Sequence, residues 1–506
     1  EPGLVAGVGA GHYGTTDADR QTPAGVFVVG AELEPSRMRE VLGIVAATIR
    51  AVRDAGPDAD ELARAQTLLR VRIQRRLERY EARATALADA EAEGDLTRLD
   101  REEADIVAVT AQQVRDAAAQ WVDPAAASAV AYYPAASTET FDLDLLADAM
   151  RAPSRPMPAL AVPSALAATP ATPRSATRRR EQGVLHVALP GLDLLVARHG
   201  DVPQVGIAVY RPRAAVRDPA LAGLDALGFR ALMRGTARLD AGQLAVAIEA
   251  LGGVLAPSVG ADVLSLGTTV LAEQVGPAAR LLVEVLMTPR LDDASVTIER
   301  DLLLDEARSI ADDMVRFPFQ LMLGHAFGDL GYGAPALGTP ESLGDFTPAR
   351  VRQWHAEFAA SGPVTVVAVG NQEPEALAEL LAEEFAALTS GAHRAVVPAQ
   401  AEALAPGTRS ATRDRQQAAL AMLFPGPNRG DPARHRERHA AATVRQAAGH
   451  DHRLAGGQVL HLLVEREGPR RDEGIGHAVV RVDEQLAREV SRHRAGRRRR
   501  RARVGR

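Results

Sequence analysis

Apolar residues recur along this chain in two rhythms. In Ala24–Leu33 they run nearly unbroken and are partly β-branched, which predicts a strand. Met38, Leu42, Val45, Ile49 and Val52 then return every three or four residues, the spacing of an amphipathic helix. Asp58, with Glu61 three residues later, predicts the capped start of another helix. Leu62, Ala65, Leu69, Ile73, Leu77, Tyr80, Ala84 and Leu87 form one stripe, which predicts a single long helix over 61–93 with one buried face. Thr110 with Gln113 marks a further helix start, and Ala127–Tyr133 predicts a short strand.

The pattern then lapses. Residues 136–183 are rich in Ala and Pro, with repeated prolines between Pro153 and Pro173, and predict an extended linker ended by Arg178–Arg180. It resumes over 184–390. Leu192–Arg198 and Val205–Tyr210 flank His199-Gly200-Asp201 and predict a hairpin. Val263–Leu271 and Val364–Gly370 predict later strands, and Pro374–Leu388 a closing helix. This order predicts the α+β class, an antiparallel sheet carrying helices, rather than a doubly wound sheet.

Length and composition narrow the chemistry. At about 100–200 residues per domain, 506 residues imply several domains. No apolar run reaches the ~18 residues of a membrane-spanning helix. Cysteine is absent, which excludes thiolate nucleophiles, disulfides and Cys-ligated zinc. All 59 basic residues are Arg, so no phosphate-loop or Schiff-base lysine exists. Asn occurs only at Asn371 and Asn428. This bias fits a GC-rich genome and makes any single Arg a weaker sign of anion binding. The opening at Glu1, without Met, is expected to mark a fragment or a processed chain.

From about Arg434 the character changes. Residues 434–506 hold 19 Arg against 9 acidic residues, a net +10 in a chain whose total is −6, and seven of the 13 His. A reading-frame shift in GC-rich DNA would produce such a segment. As a rival, the five-residue run Arg497–Arg501 could neutralise nucleic-acid phosphates. No Phe, Tyr or Trp is interleaved for base stacking, so nucleic acid is not the expected partner.

Segments of 184–390 resemble the pitrilysin/insulinase family of zinc metallopeptidases, which includes the mitochondrial processing peptidases. In order they are Leu189-Pro190-Gly191-Leu192, Gly223-Leu224, Gly235-Thr236, Leu251-Gly252-Gly253, Glu299-Arg300 with Glu306, Tyr332-Gly333, Gly338-Thr339-Pro340-Glu341-Ser342 and Val367–Gly370. Residues 1–135 look like the later part of a second domain in a first peptidase-like module, on Gly3-Leu4, the 24–33 strand, the 61–93 helix and Val109-Thr110. The resemblance implies a linker over 136–183, a complete peptidase-like domain over 184–390, and a linker over 391–408. A further domain would begin at 409, on Asp414–Ala418 and Phe424–Pro427, before the Arg- and His-rich tail.

The resemblance also implies where chemistry should sit. Active members carry His-x-x-Glu-His on a helix, with a downstream Glu as third zinc ligand and a water made nucleophilic by the metal. The register set by Gly223-Leu224 and Gly235-Thr236 puts the first His position at Ala226, the Glu at Phe229 and the second His at Arg230. Glu306 fits the third-ligand position and Glu299 the supporting acid. Without the His pair, these acids are expected to be salt-bridged, Glu306 or Glu299 with Arg230. An Asn expected after Gly252-Gly253 is Ala256. The resemblance therefore implies a non-catalytic module that helps form a chamber around peptide substrate. Zinc belongs to a catalytic module, in cis upstream or on a separate chain. The family favours the bacterial periplasm over the cytoplasm.

Other motifs carry weaker readings. Gly9–Gly14 spells a dinucleotide-binding pattern, but turn-rich Thr15–Pro23 follows where a helix is needed, so a glycine-rich strand edge is expected. The pairs His435 with His439 and His450 with His452 lie among Arg and are not expected to bind metal. His325 and His355 stand alone and predict ordinary core or surface histidines.

Overall fold

The computed structural model describes residues 5, 7–14, 25–123, 126–134, 137–138, 143–151, 176–200, 202–213, 218–360, 363–389, 407–412 and 419–424. The chain divides into two compact units, one of residues 1–313 with 327–402 and one of 314–326 with 403–506. The tail histidines, Arg497–Arg501 and the prolines from Pro153 to Pro173 lie outside the described residues.

In the first unit, β1 (Gly7–Gly14) pairs antiparallel with β2 (Gly25–Glu32). The Gly9–Gly14 motif is therefore strand, as its missing helix predicts. Helices α1 (Met38–Ala55), α2 (Ala59–Glu78), α3 (Tyr80–Glu93), α4 (Arg98–Ala108), α5 (Ala111–Trp121) and α6 (Leu143–Arg151) follow. Asp58 Oδ1 accepts from the Glu61 amide at 2.7 Å, while Glu61 Oε2 accepts from the Asp58 amide at 2.9 Å, the reciprocal cap its spacing predicts. Thr110 and Gln113 cap α5 in the same way.

Two expectations fail here. The 61–93 helix is broken at Arg79, which is extended (φ −107, ψ 126). The stripe is not a buried face on either side of the break: Ala65 and Leu69 are exposed before it and Tyr80 and Leu87 after it, while Val71, Ile73, Ala86 and Ala90 are buried. The Arg83 guanidinium donates to the carbonyl of Leu77, one of those that the break frees. Ala127–Tyr133 is not a strand, and Val130 and Tyr132 are almost fully exposed. An extended segment becomes strand only where a neighbour accepts its ladder, and no described strand lies alongside it.

The ends of the predicted linker are ordered. One is α6. The other is β3 (Thr177–Glu181), where Arg178 and Arg180 pair with Glu379 and Glu375. After it come β4 (Val184–Leu189), β5 (Leu192–Arg198), β6 (Gln204–Pro212), β7 (Ala256–Val259), β8 (Val263–Leu271) and β9 (Val364–Gly370). The sheet order is β3-β4-β5-β9-β6-β8-β7. β5 and β6 are not a hairpin, because β9 lies between them, parallel to β5 and antiparallel to β6. Nonlocal pairing wins here because β9 is Val-rich and its alternate residues are fully buried. A Cβ at Gly370 would stand 2.4 Å from the Gln204 carbonyl oxygen, so only glycine lets the two backbones close.

The fold is α+β, with one parallel pair in an otherwise antiparallel sheet. Alternate residues such as Leu194, Ile207, Leu266 and Val366 face the helices. On this face lie α9 (Val275–Met287) and α14 (Pro374–Glu384), while α7 (Leu224–Leu232) sits by β7. Outside α7 pack α10 (Asp293–Ile310) and α13 (Pro348–Ala360). The opposite sheet face is only half covered and shows Tyr210 and Val369. The remaining helices are α8 (Ala241–Ala250), α12 (Pro340–Gly344) and α11 (Arg316–Phe327), the last lying almost wholly in the second unit. In that unit Gly407 stands against the ring of His325, where a Cβ would come within 2.7 Å of Nε2.

Ile207, 1% exposed at the centre of β6, tests this core. Ile207→Ala is expected to lower unfolding free energy by about 2–5 kcal/mol in denaturant titration, through lost burial and an uncollapsed cavity.

Candidate functional site

The site is built on α7. Its start is fixed by Gly223, whose φ of +88 suits glycine and whose missing Cβ leaves room for Gly338 at 2.7 Å. Ser342 Oγ donates to the Ala222 carbonyl at 2.8 Å. Two segments of the family resemblance, Gly223-Leu224 and Gly338–Ser342, thus meet in space and set the direction of α7.

Along α7, Ala226 and Phe229 point into the core, at 3% and 2% exposure. Phe229 meets Trp354 and Phe358 edge-on, with ring centroids 5.9 and 5.5 Å away, and those two rings stack at 5.4 Å. Trp354 Nε1 donates to Asp225 Oδ1 at 2.8 Å. Arg213 Nε donates to Asp225 Oδ2 at 2.6 Å, in a pair that is almost wholly buried on the Arg side. The other guanidinium arm of Arg213 reaches the Gly260 carbonyl at 3.1 Å. The first turn of α7 is thereby tied to β6, the loop before β8, and α13.

The second half of α7 faces α10, whose start is capped by Asp292 accepting from the Ser295 amide at 2.9 Å. Arg230 is ion-paired with Glu306. Arg234, two residues past the end of α7, is ion-paired with Glu299, which is 8% exposed. The partner order reverses, since Arg234 lies four residues after Arg230 and its partner Glu299 lies seven residues before Glu306. The expected Arg230 partner is thus Glu306. Sequence reasoning missed Arg234, which lies two residues past the end of α7.

These residues test directly whether zinc fits. Zinc needs lone-pair donors converging on one point. Ala226 and Phe229 offer none, Arg230 brings a cation, and Glu306 is engaged by that cation. Among the described residues no three His, Asp or Glu stand close enough to share a metal ion. The donor set does not fit zinc. Ala256 opens the exposed edge strand β7 and contributes only a methyl.

Beneath this site Arg211 is buried, donating to the Phe358 carbonyl at 2.6 Å with its guanidinium carbon 4.7 Å from the ring centroid. Burial lowers its pKa to about 10, so it stays charged at neutral pH. His355 Nε2 hydrogen-bonds to the Leu286 carbonyl oxygen at 2.9 Å. Burial, aided by the Arg211 charge and opposed by that hydrogen bond, holds the His355 pKa below its ordinary value.

A family model described as the peptidase M16 inactive domain matches residues 345–451. That match covers α13, β9 and α14 and runs past Arg434, where the segment-by-segment resemblance stops. A protein of Mycobacterium bovis named as an uncharacterized zinc protease is 26% identical over 202 residues, which are 39% of this chain and 46% of the relative. One of Mycobacterium leprae, named likewise, is 25% identical over 304 residues, covering 59% and 66%. The chain spans about half the length of the curated relatives that it matches first. Among solved structures, the peptidase M16 inactive domain from Pseudomonas fluorescens gives 19% identity and a TM-score of 0.38, covering 44% of this chain and 52% of that one. Pitrilysin gives 17% and 0.40, covering 46% and 26%. At those TM-scores nothing rests on the two structures.

Two measurements probe the site. A Cβ at Gly228 would stand 2.3 Å from the Trp354 ring. Gly228→Ala is therefore expected to cost about 1–3 kcal/mol of unfolding free energy by overpacking. For His355 the unfolded chain binds its proton more readily than the folded one, so its contribution to stability is full above the unfolded pKa of about 6.5 and is lost as pH falls through the folded value. Unfolding free energy measured from pH 8 to 5 should fall more steeply in the native chain than in His355→Gln. Parallel curves would contradict the assignment.

Proposed function

We propose that this chain, which belongs to the peptidase M16 family of zinc proteases, is a non-catalytic part that helps to enclose peptide substrate while another module cleaves it. Membership rests on the M16 inactive-domain match and the named zinc-protease relatives, and it agrees with the ordered segments of the resemblance. The single observation that carries the functional reading is the Arg230–Glu306 pair. It joins the two positions that would both ligate metal in an active member, which supports the register of Ala226, Phe229 and Arg230. With that register, the chain has no group to polarise a peptide carbonyl or to deprotonate a water at this place.

The remaining roles follow as parts of the same proposal. Residues 184–390 act as a complete peptidase-like domain without a metal, residues 1–135 as the later part of another domain, and residues from 409 as the start of a third. Glu299 and Glu306 serve as ion-pair acids rather than ligands. Zinc resides in a catalytic module, either upstream in the same polypeptide or on a partner chain. No helix among the described residues is long and apolar enough to cross a membrane, and the periplasm remains the expected compartment by resemblance.

The test is functional complementation. The purified full chain should leave an unstructured peptide uncut, with or without chelator. Added to a family chain bearing His-x-x-Glu-His, it should raise that chain's cleavage rate and co-elute with it if the catalytic module lies in trans. Chelator-sensitive cleavage by this chain alone would overturn the proposal.

A further inference from the structure

The Ala/Pro-rich stretch divides the sequence into a helical portion before it and a sheet domain after it, yet α2 joins the two. We propose that α2 is a helix seated in a groove of the sheet domain, and that this contact makes the portions before and after residues 152–175 a single body. The groove is formed by α8, the turn at Gly252, the first residue of β6 and the end of β8.

Three features mark the contact as built for this occupant. The first is a missing side chain. Gly252 ends the α8 segment at φ +69, and a Cβ there would lie 2.6 Å from Val71 Cγ2 and 2.9 Å from Thr67 Cγ2. Glycine thus satisfies the left-handed turn and also lets the helix approach. The second is a buried polar bond. Gln204, 3% exposed at the start of β6, donates through Nε2 to the Val71 carbonyl at 3.0 Å. A buried amide N–H without such a partner would be costly, so the contact satisfies the Nε2 donor of Gln204. The third is charge at the rim. Arg70 stands 3.7 Å from Glu273, and Arg75 donates to the Thr269 carbonyl at 3.3 Å.

The other side of α2 is equally engaged. Arg70 and Gln74 bond to Glu103, Arg76 pairs with Glu102, and Gln66 donates to the carbonyls that end α4. Val71 and Ile73 are buried at 3% and 7% between these two layers.

The experiment separates the portions and asks whether they stay together. A site-specific protease sequence is inserted after Ala165 in the full chain, the chain is cut, and the products are run on a sizing column at micromolar concentration. The two fragments should co-elute from the native sequence. Gln204→Ala should weaken their association about fivefold to tenfold, the value of one buried hydrogen bond. Val71→Arg should separate them.

Hydrogen exchange on the uncut Val71→Arg chain distinguishes lost docking from misfolding. Protection should fall at α2 and the α8–Gly252 turn, and persist in β5 and β9. Separation of the unmodified fragments, or co-elution undiminished by Val71→Arg, would overturn the proposal. Neither peptide nor zinc enters this experiment, so its failure would leave the reading of α7 standing, and failure of that reading would leave this one.

Discussion

A cation of the protein's own holds the place around which the domain is organised. Arg230 and Glu306 neutralise each other between α7 and α10, and Arg234 with Glu299 repeats the arrangement two residues past the end of α7. The half-exposed Arg230–Glu306 pair is of modest worth, because such pairs contribute about 0–1 kcal/mol, while the Arg234–Glu299 pair is more deeply buried. Their larger effect is on what the site can do. A carboxylate bound by a guanidinium is not offered to a metal, and the neighbouring positions are filled by a methyl and by a buried aromatic cluster. Zinc catalysis needs an open metal position with a water on it, and most of α7 is packed in the interior.

Packing explains the other features of α7. Gly228 is needed because Trp354 lies flat against the helix, and Trp354 is fixed in turn by its bond to Asp225. Asp225 accepts Trp354 and Arg213 together, which ties three elements to the first turn of α7. The domain therefore keeps the framework of the fold while spending none of it on a reactive centre.

Local rules made much of this legible. Asp58 with Glu61 and Thr110 with Gln113 are capping boxes in the structure because a cap is decided within four residues. Val263–Leu271 and Val364–Gly370 are strands at the predicted limits, since alternating burial and β-branching agree there. Long-range choices were not legible. That β9 would part β5 from β6 depends on residues more than 150 positions away, and a plausible turn at His199–Asp201 argues for the wrong neighbour. The break at Arg79 has no glycine or proline to announce it. At the site, Arg230 and Glu306 could be paired from the family register, but Arg234 could not, because only the packing of α7 against α10 brings it to Glu299.

The central claim is that the α7–α10 site is closed by ion pairs and binds no metal. The most direct measurement is native mass spectrometry of the purified full chain after incubation with excess zinc and removal of loosely bound ions. The account predicts a mass equal to that of the bare polypeptide, unchanged by Glu306→Gln. A stoichiometric zinc ion that is lost in Glu306→Gln would contradict it.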